Sequence, residues 1–519
     1  MQLLRLGIYP FAGVIYSASM TSLFAAIDCG TSAVKAGVFD ASGRLVSLAS
    51  RGVPCVHHAD GRVTQDARSL RAAALGTLKR AMAANRIAPR RIASLCVTNQ
   101  RATVVCLDRH GEPLLPAISW QDMSGAPQIA ALRRRIPDAD YYGMTGLPNN
   151  AVFSLSKILH LRKTAPAAFA KTARFALVQD YVLRALGCGD YVADHSNASL
   201  TGMMDIRRFR WSAELLDAAG VDETRLPSLV PSGRAVGRLS ASAAARCGLA
   251  AGTPLVSGGG DQQCAGVGAG VVRPGLCSIT MGTAGVSFCH VDRVVLDPRR
   301  RITCCAHAVP GCWNLEGLQS TAGDSLRWAG RHLAGAKRLD DGFLAEVARV
   351  PAGARGVLFF PYLAGAAAPH WIAEATAAFV GLKYSHDTAS LVRAVIEGVV
   401  FENLQILDVF ASLRVPVREI RLTGGLSTSR LWNQIQADVY DRPVVPLANP
   451  HATLLGAAIL GAFGVGAVPS LQAAAEAMVR FAGACKSDAR RSREYRSVYR
   501  KFVKVMETFK SQGLFEVLA

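Results

Sequence analysis

Aromatic residues make up only 7% of this 519-residue chain and charged residues only 18%. Acidic side chains are the scarcer sign: 38 Asp+Glu stand against 58 Lys+Arg, a formal charge of +20. That surplus is scattered over Arg133–Arg135, Arg207–Arg208, Arg299–Arg301 and Arg490–Arg491, with no basic stripe interleaved with aromatics. Such a balance bears on solubility and weak association, and the usual footprint of a nucleic-acid reader is missing. Thirteen cysteines include no Cys-x-x-Cys pair, and their tightest group is Cys304, Cys305 and Cys312. This excludes zinc-ribbon and thioredoxin-type motifs and fits free thiols in a reducing cytosol. No Gly-x-x-x-x-Gly-Lys-Ser/Thr loop occurs, and Gly266, Gly268 and Gly270 do not complete a dinucleotide fingerprint.

Half of the residues are hydrophobic. That supports a large core and excludes a mostly disordered chain; the length fits two large domains or three smaller ones. From Leu6 to Ile27 no charge interrupts the sequence, a stretch long enough for a membrane span or a signal peptide core. Its last part, Leu23–Ile27, runs straight into Asp28-Cys29-Gly30-Thr31 and reads as a buried strand, which excludes a span. Residues 1–19 are therefore expected to be a dispensable extension ahead of Met20.

Strands are predicted over Leu23–Asp28, Val34–Asp40 and Arg44–Ser50, then a helix near Ser69–Asn85 and strands at Ile92–Val97 and Thr103–Leu107. A meander followed by alternating helix and strand gives the class α/β. The same grammar returns at Gly275–His290, where Gly282-Thr283-Ala284-Gly285-Val286 echoes Gly30-Thr31-Ser32-Ala33-Val34. Two related domains facing each other are expected, over residues 20–268 and 269–480. Helices follow around Leu391–Val409, Leu431–Tyr440 and Leu454–Gly466, with a strand at Glu419–Leu422. Residues 481–519 read as a basic amphipathic helix docked on its own domain through Tyr495, Tyr499, Phe502 and Met506.

The chemistry concentrates at three turns. In Asp28-Cys29-Gly30-Thr31-Ser32, glycine permits close backbone approach, successive N–H groups make an anion nest, and Asp28 is placed to hold Mg2+ through water. The alternative is an ordinary hairpin turn. Gly282-Thr283 supplies a second nest, and two facing nests can clasp a polyphosphate. In Ser257-Gly258-Gly259-Gly260-Asp261-Gln262-Gln263 a strand empties into glycines and one carboxylate, which reads equally as a general base or a helix N-cap.

Together these pieces resemble the FGGY carbohydrate kinases, the family of xylulokinase and glycerol kinase. The resemblance runs from about Leu23 to about Ser470 and includes Lys35, Thr98-Asn99-Gln100-Arg101, Ser119-Trp120-Gln121-Asp122, Thr145-Gly146-Leu147-Pro148, Asp194-His195-Ser196-Asn197, Arg393–Gly398 and Gly424-Gly425 with Ser429 and Trp432. It implies an actin-like, ribonuclease H-like ATPase fold with a nucleotide and sugar cleft between two domains. It implies ATP and Mg2+, with Asp261 as the base that deprotonates a substrate hydroxyl. Asp28, Gly30, Thr31, Ser32 and Lys35 would handle the phosphates and the metal, as would Gly282 and Thr283. Gly424, Gly425 and Ser429 would lie against adenosine, and Gln100, Arg101, Trp120, Asp122 and Gln262 would line the sugar site.

Glycerol kinases carry Glu where this chain has Ala102 and Tyr where it has Val152, so glycerol loses a grip; xylulokinases carry Met-His where it has Arg101-Ala102. The expected substrate is a ketose, xylulose-like among the choices, or a polyol. The expected setting is cytoplasmic, with no membrane or specific nucleic acid and with a second copy of the chain as partner. The competing expectation is a catalytically silent kinase-fold protein that senses sugar or binds nucleic acid. Asn449-Pro450-His451, where the family often carries Glu, has no account at this stage.

Overall fold

The computed structural model describes residues 22–335 and 339–518, so the expected extension at residues 1–19 lies outside the described residues. The first apolar runs form the strands Leu23–Cys29, Ala33–Asp40 and Leu45–Gly52, an antiparallel meander. Leu23–Cys29 pairs in parallel with Ile92–Asn99, which pairs in parallel with Pro254–Gly260; Ala235–Arg238 closes the edge antiparallel. Phe24 and Ala26 face one side and Ala25 and Ile27 the other, and all four are buried. A strand covered on both faces needs such an unbroken apolar run.

A second six-stranded sheet repeats the plan. Gly275–Met281, Gly285–Val291 and Trp313–Gln319 make the meander, with Thr303–Ala306 on its edge. Gly275–Met281 then pairs in parallel with Val417–Thr423, which pairs with Val444–Pro446. The turns at Gly30 and Gly282 thus occupy the same place, each at the end of the first meander strand.

Between the sheets lie two helices, Asp261–Gly268 and Ala452–Gly464, in equivalent positions after the third parallel strand of each half. They meet backbone to backbone. A methyl added at Gly268 would stand 1.9 Å from the Ala452 carbonyl oxygen, and one at Gly456 1.8 Å from that of Cys264. A shared core of Phe24, Val256, Phe288 and Leu455 surrounds the contact.

The strand expected near Thr103 is present as Val104–Leu107; Ala102 takes φ +61°, the chain turns, and the strand joins a separate five-stranded antiparallel sheet. One expectation changes. The terminal helix spans Ala489–Ser511 rather than all of 481–519, because Phe481 and Cys485 bridge to Leu447 and Val444 as extended chain. The helix is docked as its apolar stripe predicts: Phe502 stacks on Phe360 at 4.5 Å, and Tyr495 is buried. Among the described residues, no helix is long and apolar enough to cross a membrane.

Candidate active site

The parallel strands of the first sheet end together: Asn99 is the register partner of both Cys29 and Gly260, and Asp28 stands one residue back, opposite Thr98. Asp261 follows as the first residue of its helix, with Gly260 as the cap residue. The three glycines before it belong to the strand and are there for space. A methyl at Gly258 would lie 2.2 Å from the Val97 carbonyl oxygen, and one at Gly260 2.4 Å from Arg101 Cδ. None has a positive φ. The Asp261 carboxylate is delivered by tight packing rather than by flexible chain.

Asp261 Oδ1 accepts from the Gln262 backbone N–H at 2.8 Å and lies 3.0 Å from Arg101 Nε. Among the described residues Oδ2 makes no hydrogen bond, and the side chain is part-exposed. Burial raises the Asp261 pKa above the usual carboxylate range, and Arg101 opposes that rise. The Asp28 pKa is pushed up to about 7 by burial and by the charge of Asp261, with Lys35 pulling the other way. Asp28 Oδ1 is buried and has no hydrogen-bond partner. A hard cation takes oxygen ligands, so an orphaned carboxylate oxygen beside a second carboxylate fits Mg2+.

The two glycine-threonine turns are built alike. Gly30 N–H donates to the Ala33 carbonyl at 3.1 Å and Gly282 N–H to the Ala284 carbonyl at 3.0 Å. Thr31 Oγ1 accepts from the Trp120 indole at 2.9 Å, and Thr283 Oγ1 accepts from Arg327 at 3.2 Å. A cavity of about 120 Å³ joins the halves, lined by Asp28 and Lys35 from the first and by Thr280, Thr423 and Gly424 from the second. His451 lines it too, which gives the Asn449-Pro450-His451 segment a place at the cleft. Burial and Lys35 lower the His451 pKa, so it stands there as a neutral imidazole. Gly424 has φ +85°, and a methyl on it would meet the Met281 carbonyl oxygen at 2.4 Å. Gly425 has open space around it, and Ser429 caps the helix Arg430–Tyr440.

The expected sugar-site residues divide. Arg101 reaches across the cleft: its terminal nitrogens donate to both Glu316 oxygens at 2.7 and 2.8 Å. Glu316 sits on Trp313–Gln319 of the second sheet, so one guanidinium touches the candidate base and ties the two halves. Trp120 is part-exposed beside Thr31, and Gln262 is part-exposed next to Asp261. Gln100 is buried instead, donating to Gln65 at 2.7 Å, and Gln65 in turn holds the Thr31 carbonyl at 2.8 Å. Asp122 is also buried; its oxygens accept from the Val63 and Ser124 backbone at 2.8 and 2.9 Å. These two shape the turn and the Trp120 loop from behind. Buried Lys157, donating to the Trp120 carbonyl at 3.3 Å, completes that support. Glu316, Arg327 and Gln65 were not found from sequence, and His451 was singled out without a role; strand register brings in Glu316 and Gln65, Arg327 comes from the helix Gly323–His332, and His451 sits just ahead of the helix Ala452–Gly464.

Residues 23–268 match the FGGY family of carbohydrate kinases, N-terminal domain, and residues 277–465 match its C-terminal domain. The chain is 30% identical to a gluconokinase of Bacillus subtilis, over 88% of this chain and 90% of that one. It is 32% identical to a glycerol kinase of Trichlorobacter lovleyi, over 86% and 90%. The solved xylulose kinase of Rhodospirillum rubrum superposes with a TM-score of 0.87 at 28% identity, covering 95% of this chain and all (100%) of that one. The fold is the α/β, actin-like ATPase fold of two related halves. With both domain types matched in order and these relatives aligned nearly end to end, the chain belongs to the FGGY family of carbohydrate kinases, phosphotransferases whose acceptor is the alcohol group of a sugar or polyol.

Proposed function

We propose that this kinase transfers the γ-phosphate of ATP to a hydroxyl of a neutral ketose or polyol larger than glycerol, with Asp261 as general base. The observation that carries the reading is the part-exposed Asp261 carboxylate held against Arg101, whose other nitrogens reach Glu316 of the second half. Phosphoryl transfer needs an in-line hydroxyl, donors around the phosphates and neutralised charge. Asp261 accepts the hydroxyl proton at Oδ2, and its raised pKa brings it closer to the working pH of a base. The Thr31 and Thr283 hydroxyls, which accept from Trp120 and Arg327 and keep their own protons to donate, hold the phosphate oxygens at the two turns. Asp28 is the residue that would hold Mg2+, directly or through water; the ion when bound supplies charge neutralisation on the transferring group.

Neutrality of the substrate follows from Arg101. Its fork is filled by Glu316, so the Arg101 guanidinium beside the base is not left waiting for a sugar-acid carboxylate. Ala102 and Val152 lack the side chains that grip glycerol in its kinases. A reducing cytosolic setting is part of the same proposal, supported by thirteen free cysteines. The test is an ATP-to-ADP coupled assay over ketopentoses, ketohexoses, pentitols, glycerol and gluconate. Turnover with a ketose or pentitol is expected, and Asp261→Asn should lower it by ~10²-fold or more while ATP still binds. Fastest turnover on gluconate would overturn the neutral-substrate reading, and undiminished turnover of Asp261→Asn would overturn the base.

A further inference from the structure

A cavity of about 590 Å³ lies well away from Asp28, Arg101 and Asp261, none of which lines it. One wall comes from the sugar-side half, through Arg133 and Asn149. The others come from the second half, through the loop Arg299–Arg301 and the terminal helix at Lys510. Its size falls in the range of small-molecule sites.

Two features of its lining ask for a ligand. The first is Asn149, whose side chain is 6% exposed; both its amide oxygen and its amide nitrogen are buried with no partner. A buried amide left without both bonds is costly, so its retention facing a cavity points to a molecule that both donates and accepts. The second is unpaired positive charge. Among the described residues, the Arg299 and Arg300 guanidinium groups and the Lys510 ammonium have no side-chain partner. Arg133 and Arg301 are held by Asp138 at 3.3 Å and Asp297 at 2.8 Å. The carboxylates of the cavity are mostly engaged too: Asp138 by Arg133, and Asp408 by the Tyr499 hydroxyl at 2.5 Å, leaving Glu507 free. His370 adds no charge, since burial lowers its pKa to about 4.

From this lining we infer a regulatory site for a phosphorylated polyhydroxyl compound, a phosphate monoester seated on Arg299, Arg300 and Lys510 with its hydroxyls on Asn149. The two walls belong to different halves of the molecule, so a ligand bridging them shifts the equilibrium between open and closed clefts by its differential affinity. The binding claim stands apart from the reaction assigned to the main cleft.

The experiment is calorimetric titration of the full chain, saturated with ADP and Mg2+, with a pentose 5-phosphate. Free pentose, inorganic phosphate and chloride at matched ionic strength serve as separate arms. Besides any binding at the main cleft, a saturable isotherm for the pentose phosphate is expected, weaker for inorganic phosphate and absent for free pentose and chloride. Arg299→Ala/Arg300→Ala should weaken it at least tenfold with ADP binding and basal turnover unchanged. Lys510→Ala is an independent second variant, on a different element, expected to act in the same direction. Asn149→Leu should remove the preference for pentose phosphate over inorganic phosphate. Identical isotherms in wild type and both charge variants would overturn the site, as would equal binding of chloride at the same ionic strength.

Discussion

Two carboxylates close together and away from water keep Asp28 half-protonated near neutrality. Its pKa in the fold, about 7, stands above the ordinary carboxylate range, so the unfolded chain gives up that proton first. Folding is then penalised increasingly as pH rises through the ordinary range up to about 7, and constantly above it. Asp28→Asn should therefore raise the melting temperature in metal-free buffer, by more at pH 7.5 than at pH 5, while Mg2+-dependent turnover collapses. A melting temperature unchanged across that range would contradict the assigned burial. In wild type, Mg2+ affinity should climb with pH through 7 and then level, because only the ionised carboxylate binds a hard cation. Asp28 and Asp261 were legible in the sequence because each sits beside glycines that break an apolar run. Glu316 was not, since its nearness to Arg101 depends on which strands pair across the second sheet. The same holds for Asp122, whose motif pointed at substrate while its oxygens are taken up by backbone amides.

At the scale of elements, the meanders and long helices were readable from their periodicity. Thr388–Ser412 extends its expected helix by a few residues at each end, and Ala67–Ala84 starts a little before Ser69 and stops just short of Asn85. What periodicity could not show was which strands share a sheet: Val104–Leu107 is a strand as expected, and it pairs in the smaller antiparallel sheet after one left-handed residue, Ala102. The glycine run before Asp261 is itself strand, with no room for side chains. Gly258→Ala should thus cost stability outright, since its methyl meets fixed backbone at 2.2 Å, and a loss of several degrees in thermal melting is expected. Were the run flexible, the same change would be neutral or stabilising. The terminal helix makes a comparable claim: Tyr495 accepts from Arg393 at 2.6 Å and donates to Glu397 at 2.8 Å, all three buried. Tyr495→Phe leaves the ring in place yet strips one partner from a buried ion pair. It should destabilise by roughly 1–3 kcal/mol, measured by denaturant unfolding.

For the molecule as a whole, the bond across the cleft is the Arg101–Glu316 pair, whose Glu316 carboxylate is nearly inaccessible, at 7% exposure. A buried pair holds geometry more surely than it adds stability. Glu316→Gln should free the guanidinium, raise KM for the neutral substrate several-fold and tighten competitive inhibition by gluconate, read from steady-state kinetics. Unaltered inhibition would show that Arg101 does not meet the substrate. At the opposite side of the interface, Gly268 and Gly456 press main chain against main chain. With main chain touching main chain, that point has no slack for a rotamer change to take up, and it would serve as a fulcrum of fixed thickness. A small tilt at such a pivot would become the larger gape at the far rim through which a sugar enters and its phosphorylated product leaves.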